Sequence, residues 1–321
     1  DLTARVCAPR AADGALGLTD DAAFYRPRPG RDLVLTKDEV VSGVHFFADD
    51  PWDAVACKAL RVNLSDLAAK GAAPVGYLLA LGLPKDFSAE QVDALGAGLA
   101  TDQATYGISL YGGDTVRSPA GLTLSVTAIG EVREGGMVRR GGAQAGEVIV
   151  VTGTIGDAAL GLSLRLDPAL SGRLGLSDDH RDHLLDRYLL PRPRGALASA
   201  VADCASGGMD ISDGLVGDLG KMAAASGVAI EIDADRVPLS AAARAAVMAD
   251  PRLFAVALTG GDDYELALSI PASKVDAFLA AASAAGIEAV AIGRVRQGEG
   301  VAVLGDHPAL ADLGSGSYRH F

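Results

Sequence analysis

Short apolar runs bounded by glycine, proline and aspartate divide the chain into many brief elements. Leu33 to Leu35 and Val75 to Leu83 read as strands, and Pro51 to Lys70 reads as a helix closed by Gly71, which gives a β-α-β order. Ser88 followed by Gln91 makes a capping box for a second helix that should run to Tyr106 and stop at Gly107. Strands near Ile108 to Tyr111 and Leu122 to Val132 come next.

The glycine- and arginine-rich stretch Glu134 to Gly146 has no apolar period and precedes a new strand, Val148 to Thr152. Beyond it, helical patterns at Asp157 to Leu166, Arg181 to Leu189, Asp213 to Ser226 and Ala272 to Ala285 alternate with strands near Ala229 to Ile232, Leu266 to Ile270 and Ala289 to Val295. The expected architecture is α/β (α+β) in two domains, residues 1–140 and 141–321, with no repeat. A length of 321 residues agrees, because one hydrophobic core usually serves about 150.

A formal net charge of −13 argues against non-specific binding to nucleic acid or an anionic membrane, which needs a basic surface. A nucleotide substrate remains compatible through bridging metal. Cys7, Cys57 and Cys204 are far apart and form no Cys-x-x-Cys pair, so neither a zinc site nor a disulfide framework is indicated, and a reducing cytoplasm is the expected compartment. The apolar runs fall far short of the roughly 18 residues of a membrane span, and no signal-peptide pattern is visible.

Five motifs set aspartates among glycines and small residues: Thr19-Asp20-Asp21-Ala22-Ala23, Asn63-Leu64-Ser65-Asp66-Leu67, Gly112-Gly113-Asp114-Thr115, Met209-Asp210-Ile211-Ser212-Asp213-Gly214 and Gly260-Gly261-Asp262-Asp263-Tyr264. Carboxylates packed into tight turns are costly unless a cation neutralises them. The motifs contain no matching set of lysines or arginines, so the expected neutraliser is a hard divalent cation.

Each motif also has a plainer reading. Asp20-Asp21 fits an exposed turn, and Asp38 fits a surface residue ending the strand Leu33 to Thr36. Gly112-Gly113-Asp114 fits a tight turn between strands, or glycines whose N–H groups face a phosphate. Ser212 fits a helix N-cap and Asp213 a partner of the helix dipole, which leaves Asp210 unexplained. Asp66 says more: Ala59, Asn63, Asp66 and Lys70 fall at i, i+4, i+7 and i+11, a small polar face on an otherwise apolar helix.

Gly153-Thr154-Ile155-Gly156-Asp157 lacks dinucleotide-fingerprint spacing and reads as strand–helix packing. Gly217-Asp218-Leu219-Gly220-Lys221-Met222 falls inside a helix and lacks the Ser/Thr of a P-loop. His180 and His183 sit among charges, as on a solvated helix face, whereas His45, before Phe46-Phe47, is the better ligand contact.

Taken in order, these motifs resemble the thiamine-monophosphate kinases of the aminoimidazole-ribonucleotide synthetase superfamily, nearly end to end. The most specific stretches are Lys58 to Ala69, Gly112 to Thr115, Val151 to Asp157, Asp210 to Leu215 and Gly260 to Leu266. The resemblance implies ATP-dependent phosphorylation of thiamine monophosphate to thiamine diphosphate, with several Mg2+ ions. It also implies a homodimer whose N-terminal domains pair into a barrel-like sheet.

By position, Asp21, Thr36, Asp38, Asp66, Asp114, Asp210 and Asp213 match the family's magnesium ligands. Gly113, Asp114, Arg140 and Ser212 match its nucleotide contacts, and His45, Asp262 and Tyr318 match its thiamine-phosphate contacts. Two departures stand out: the family commonly has threonine where Lys37 and Glu39 stand and glutamate where Asp262 stands. Lys37 can still ligate metal through its carbonyl, or contact a phosphate directly.

In such a reaction charge repulsion between two polyanions is the main obstacle. The acceptor phosphate has a second pKa of about 6 and is already ionised, so no acid–base residue is expected. Asp66, Asp114 and Arg140 are the expected electrostatic stabilisers. Rival readings are a sister synthetase with another acceptor and a nucleotide-binding protein without chemistry. Selenophosphate synthesis is disfavoured because Cys7, in Val6-Cys7-Ala8-Pro9, lacks a glycine-rich flank.

Overall fold

The computed structural model describes residues 3–313. The chain divides into two compact units, one made of Asp1–Leu67 and Ala72–Met137, the other of Ala68–Gly71 and Val138–Phe321. The assignment of Tyr318 lies outside the described residues.

The first unit contains β1 (Arg31–Val41), α1 (Trp52–Ala69), β2 (Ala73–Leu83), α2 (Ala89–Tyr106), β3 (Ser109–Arg117) and β4 (Thr123–Arg133), with strand order β1-β4-β2-β3. β2 and β3 are parallel; the other pairs are antiparallel. Both arms of the Ser88–Gln91 capping box form, and Gly107 closes α2 in the left-handed conformation, as the sequence indicates.

Along β4 the even positions Leu124, Val126 and Ala128 are fully buried, and the odd positions Ser125, Thr127 and Ile129 are half-buried. This period of two gives the sheet a covered face and an open one. On the covered side α1 reaches the sheet where Leu67 lies against Gly130, and Arg61 of α1 pairs at 2.8 Å with the buried Asp102 of α2.

Two strand expectations are corrected here. β1 does not end at Asp38; its pairing with β4 continues to Val41 opposite Thr123. Lys37, Asp38 and Glu39 break the apolar pattern, but β1 is an edge strand, where charged residues are tolerated. Gly112-Gly113-Asp114 is not a turn; it continues β3, paired with Leu78, Leu79 and Ala80. A Cβ on Gly113 would stand 1.8 Å from the Leu79 carbonyl oxygen, so the glycine permits close backbone approach.

The second unit runs β5 (Val148–Thr152), α3 (Asp157–Leu166), α4 (Leu170–Leu174), α5 (Asp178–Leu189), α6 (Ala198–Cys204), β6 (Gly207–Ile211), α7 (Leu215–Ser226), β7 (Ala229–Asp233), α8 (Ala241–Ala249), α9 (Leu253–Thr259), β8 (Glu265–Ile270), α10 (Val275–Ala284), β9 (Ala289–Arg296) and β10 (Gly300–Leu304). Its sheet has the order β10-β7-β9-β5-β8-β6. Ile149 and Val151 face a core with α7 and α9, while Val150 faces one with α6 and α10.

The sequence pattern passes over β6, α4, α6, α8, α9 and β10. Each is short, and β6, Gly207-Gly208-Met209-Asp210-Ile211, is buried throughout despite two glycines and a charge, so it has no alternation to read.

Candidate active site

In the first unit a cavity of about 690 Å³ is walled on one side by residues 20–25 and on the other by β2 and β3. Asp20, Asp21, Gly113 and Asp114 line it together, beside Phe24, Tyr25 and Tyr111. Two distant motifs therefore meet at one place.

Asp20 Oδ1 accepts the Asp21 N–H at 2.7 Å, and Asp114 Oδ1 accepts the Thr115 N–H at 2.8 Å. Among the described residues no lysine or arginine pairs with Asp20, Asp21 or Asp114. Carboxylate oxygens suit Mg2+, but among the described residues no three His, Cys, Asp or Glu side chains are grouped closely enough to hold a metal ion by themselves, and Leu, Phe and Tyr side chains make up much of the lining.

At the sheet edge opposite β3, β1 meets the polar face of α1. The Thr36 hydroxyl donates to Asp66 Oδ2, and the Asp38 N–H donates to Asn63 Oδ1 at 2.9 Å. Asn63 is fully buried, and its amide also donates to the Ala59 carbonyl at 3.0 Å. The expected polar stripe on α1 thus holds the β1 edge. Lys70, at the end of that stripe, belongs to the second unit and donates to the Gly208 carbonyl at 2.8 Å. Lys37 projects to the other side of β1, exposed, 3.2 Å from Glu39.

His45 sits in the turn after β1, its Nδ1 accepting the Val41 N–H at 3.1 Å. The buried Lys58 donates to the His45 carbonyl at 2.9 Å, fixing the turn from beneath.

In the second unit, the loops after β6 and before β8 are joined by their backbones. The Asp262 N–H donates to the Ser212 carbonyl at 2.9 Å and the Tyr264 N–H to the Ile211 carbonyl at 2.8 Å. A Cβ on Gly261 would meet that Ser212 oxygen at 2.2 Å. Asp262 and Tyr264 both take left-handed conformations, φ 70° and 51°, which for non-glycine residues costs roughly 1 kcal/mol or more each. The structure therefore sets Asp210 near the end of β6 and Ser212, Asp213 and Asp262 on two stitched loops.

Ser212 is not a helix N-cap: Gly214 holds that position without a side-chain bond. Instead the buried Asp218 carboxylate accepts the N–H groups of Ser212 and Asp213, both at 2.9 Å. Lys221 donates to Asp213 and, at 2.7 Å, to Asp218. Burial alone would depress the Lys221 ammonium, but Asp213 and Asp218 hold it above the ordinary lysine range. Burial keeps Asp218 above the usual carboxylate range even so.

One of the five acidic motifs thus has a protein counter-ion outside the motif, Lys221 for Asp213. Besides Lys221, Arg187 (3.0 Å) and Arg194 pair with Glu265, which is fully buried beside the last motif. A visible signal was the spacing of Asp218 and Lys221 at i and i+3 within a helix; Arg187 and Arg194 are too distant in sequence to be read.

Asp157 lies buried at the start of α3, where Thr154, Ser240 and His183 contact its carboxylate at 2.6, 2.5 and 3.0 Å. His183 is only partly on the solvated face expected for it: with 36% of its side chain exposed, it also reaches the buried Asp157. The stretch from Gly153 to Asp157 serves strand–helix packing, as expected. Arg140 lies exposed in a short turn, Arg140–Gly142, whose carbonyl at Arg140 accepts the Ser226 hydroxyl at 3.3 Å.

Among the described residues no helix is long and apolar enough to cross a membrane. The family model for the AIR synthase related protein N-terminal domain matches residues 19–132, and that for its C-terminal domain matches residues 144–306. A thiamine-monophosphate kinase of Caulobacter vibrioides is 42% identical over 306 residues, 94% of this chain and 85% of that protein. The crystal structure of thiamine-monophosphate kinase from Stenotrophomonas maltophilia aligns with a TM-score of 0.82 at 41% identity, covering 90% of each chain. The structure of AaThiL complexed with AMPPCP and TMP aligns with a TM-score of 0.79 at 32% identity, covering 94% of this chain and 91% of that one.

Proposed function

The chain belongs to the AIR synthase related family, and we propose that it acts there as a thiamine-monophosphate kinase: it transfers the γ-phosphoryl group of ATP to thiamine monophosphate and yields thiamine diphosphate. The cavity of the first unit supports this most directly. Asp20, Asp21 and Asp114 line it together with Gly113, with no lysine or arginine partner among the described residues, while Asp213, Asp218 and Glu265 have theirs.

Magnesium bound by these carboxylates would neutralise the two polyanions and polarise the transferring phosphoryl group. Asp21, Asp66 and Asp114 are the central ligands in this scheme, with Thr36, Asp38, Asp210 and Asp213 completing the set and Lys37 available through its carbonyl. Gly113 removes side-chain bulk beside the nucleotide phosphates, and Arg140 and Ser212 are the other nucleotide contacts. His45 and Asp262 face thiamine monophosphate. The acceptor oxygen needs no base, so these residues act by holding and orienting charge.

Two copies of the chain pair through the open face of the first-unit sheet. Leu33 and Leu35 on β1, Leu78 on β2 and Val116 on β3 lie on that face with 42% to 66% exposure, too large an apolar set for a wet surface. The chain works in the cytoplasm.

Incubation with ATP, Mg2+ and thiamine monophosphate followed by chromatography should give thiamine diphosphate in equal amount to ADP. ATP consumption without that product would defeat the reading.

A further inference from the structure

The last acidic motif alternates between surface and interior. Asp262 and Tyr264 are half-buried, whereas Asp263 between them and Glu265 after them are fully buried. The outer pair holds left-handed backbone, φ 70° and 51°. A side chain swings bodily when its residue relaxes to negative φ, so the direction of Asp262 depends on what keeps the loop in this strained form.

The inner pair supplies the anchors. Asp263 accepts the Gly156 N–H at 2.7 Å, a bond that an uncharged side chain can keep. Glu265 is held by charge: Arg194 donates to both of its oxygens, from Nε to Oε2 at 2.6 Å and from Nη2 to Oε1. Arg187 donates to Oε1 at 3.0 Å, and the Thr152 hydroxyl donates to Oε2 at 2.8 Å. A forked arginine–carboxylate pair fixes angle as well as distance, which a single bond does not.

A glycine of another motif makes room for this pair. A Cβ on Gly153 would stand 2.2 Å from Glu265 Oε1 and 2.5 Å from Arg194 Nη2, so the stretch 153–157 also forms the seat of the loop 260–264. The two arginines differ in how they serve it. Arg187 comes from the interior of α5 and, among the described residues, its buried Nη1 has no partner. Arg194 brings its fork from the segment between α5 and α6, where its side chain is 17% exposed, and it is the better matched of the two to Glu265.

Resting on the reading of Asp262 as a contact to thiamine monophosphate, we propose that Arg194, through its fork on Glu265, is the positioning residue of the loop 260–264. It keeps Asp262 in the left-handed conformation that faces the substrate, without touching the substrate itself.

The test uses the full chain as wild type, Arg194→Ala, Arg194→Lys, Asp262→Ala and the double variant Arg194→Ala/Asp262→Ala. Binding of thiamine monophosphate is measured by calorimetry with a non-hydrolysable ATP analogue and Mg2+ present, alongside thermal melting and turnover. Loss of one of two cationic anchors should leave the loop in its facing conformation about a tenth of the time, which weakens thiamine monophosphate binding and raises its KM roughly tenfold, with a smaller change in kcat. Asp262→Ala should weaken binding to a similar degree, and the double variant should remain near roughly tenfold, because Arg194 acts through Asp262. Arg194→Lys keeps the charge without the fork and should fall between wild type and Arg194→Ala; it replaces Arg194→Ala in the cycle if that variant does not fold.

A lowered melting temperature with unchanged thiamine monophosphate affinity in Arg194→Ala would reduce the fork to a structural tie and overturn the proposal. A double variant weakened by roughly a hundredfold would overturn it too, since the two residues would then act separately. A wild type that makes thiamine diphosphate, with affinity unmoved in Asp262→Ala, would remove the positioning role and leave the kinase reading intact. A wild type that binds thiamine monophosphate and shows the non-additive cycle, but forms no thiamine diphosphate, would leave the positioning role standing and sink the kinase reading alone.

Discussion

Thr36 on β1 gives its hydroxyl hydrogen to Asp66 on α1, so a strand and a helix of the first unit are joined through two positions proposed above as magnesium ligands. The bond orients one oxygen of Asp66 along the strand and leaves the carboxylate its charge. Asp66→Asn keeps an oxygen that Thr36 can donate to and removes the charge. Turnover should therefore fall at least about a hundredfold, the usual loss for a transition-state charge stabiliser, with far-UV circular dichroism and melting nearly unchanged. Near-normal activity would sink the electrostatic scheme.

The acids around α3 should respond to pH in opposite directions. Burial alone would raise Asp157, but bonds from His183, Ser240 and Thr154 hold it below its ordinary value. A depressed carboxylate stabilises the fold above its unfolded pKa, near 4, and that contribution is lost as pH falls through the folded value. Asp157→Asn should cost roughly 1 to 3 kcal/mol at pH 7 and progressively less below pH 4, read by urea unfolding across the range.

Asp263 is the converse. Burial pushes it well above the usual range, against the bond from the Gly156 N–H at 2.7 Å, so its ionised form weakens the fold as pH rises through the folded value. Asp263→Asn should be nearly neutral or mildly stabilising at pH 7, within about 1 kcal/mol. A loss as large as that of Asp157→Asn would show that Asp263 is held as a carboxylate.

These two neighbours illustrate what the sequence could and could not disclose. The acidic motifs, the capping box and the α1 stripe through Asn63 and Asp66 were legible because each depends on local spacing. The partners were not: Thr154 lies within reach of Asp157 in sequence, but Ser240 and His183 arrive from α8 and α5. The same holds for Lys221, read correctly as helical yet not as the counter-ion of Asp213, and for Glu131, whose cover comes from more than a hundred residues upstream. For Gly112-Gly113 the sequence leaves a turn open as one reading, because glycine marks close approach as well as reversal of the chain, and only the strand alongside decides which.

That close approach yields a further expectation. A methyl group at position 113 would stand 1.8 Å from the Leu79 oxygen and 2.7 Å from its carbonyl carbon, both backbone atoms that cannot rotate away. Gly113→Ala must therefore push β3 off β2, displacing Asp114 in the same movement. Both stability and activity should drop, the first by about 3 kcal/mol, at the upper end for overpacking. Gly112→Ala is the control: its φ of 156° carries the same backbone strain as the 159° of Gly113, but its nearest neighbour is the flexible end of Leu78 at 3.7 Å. Equal effects at the two positions would mean that the clash with Leu79 is not what matters.

The open face of the first-unit sheet gives the last expectation. Leu35 is 66% exposed at the middle of edge strand β1, and Leu33, Leu78 and Val116 extend the apolar surface across to β3. Covering it at roughly 25 cal/mol per Å² favours association of two copies, because a sheet face is self-complementary under a two-fold axis. A charge at its centre would be buried unpaired in the dimer and solvated in the monomer, so Leu35→Asp should shift the equilibrium toward monomer by several orders of magnitude. Sedimentation velocity at micromolar concentration should find a dimer for the wild type and a monomer for the variant. A monomeric wild type would leave this apolar face unexplained and withdraw the dimer.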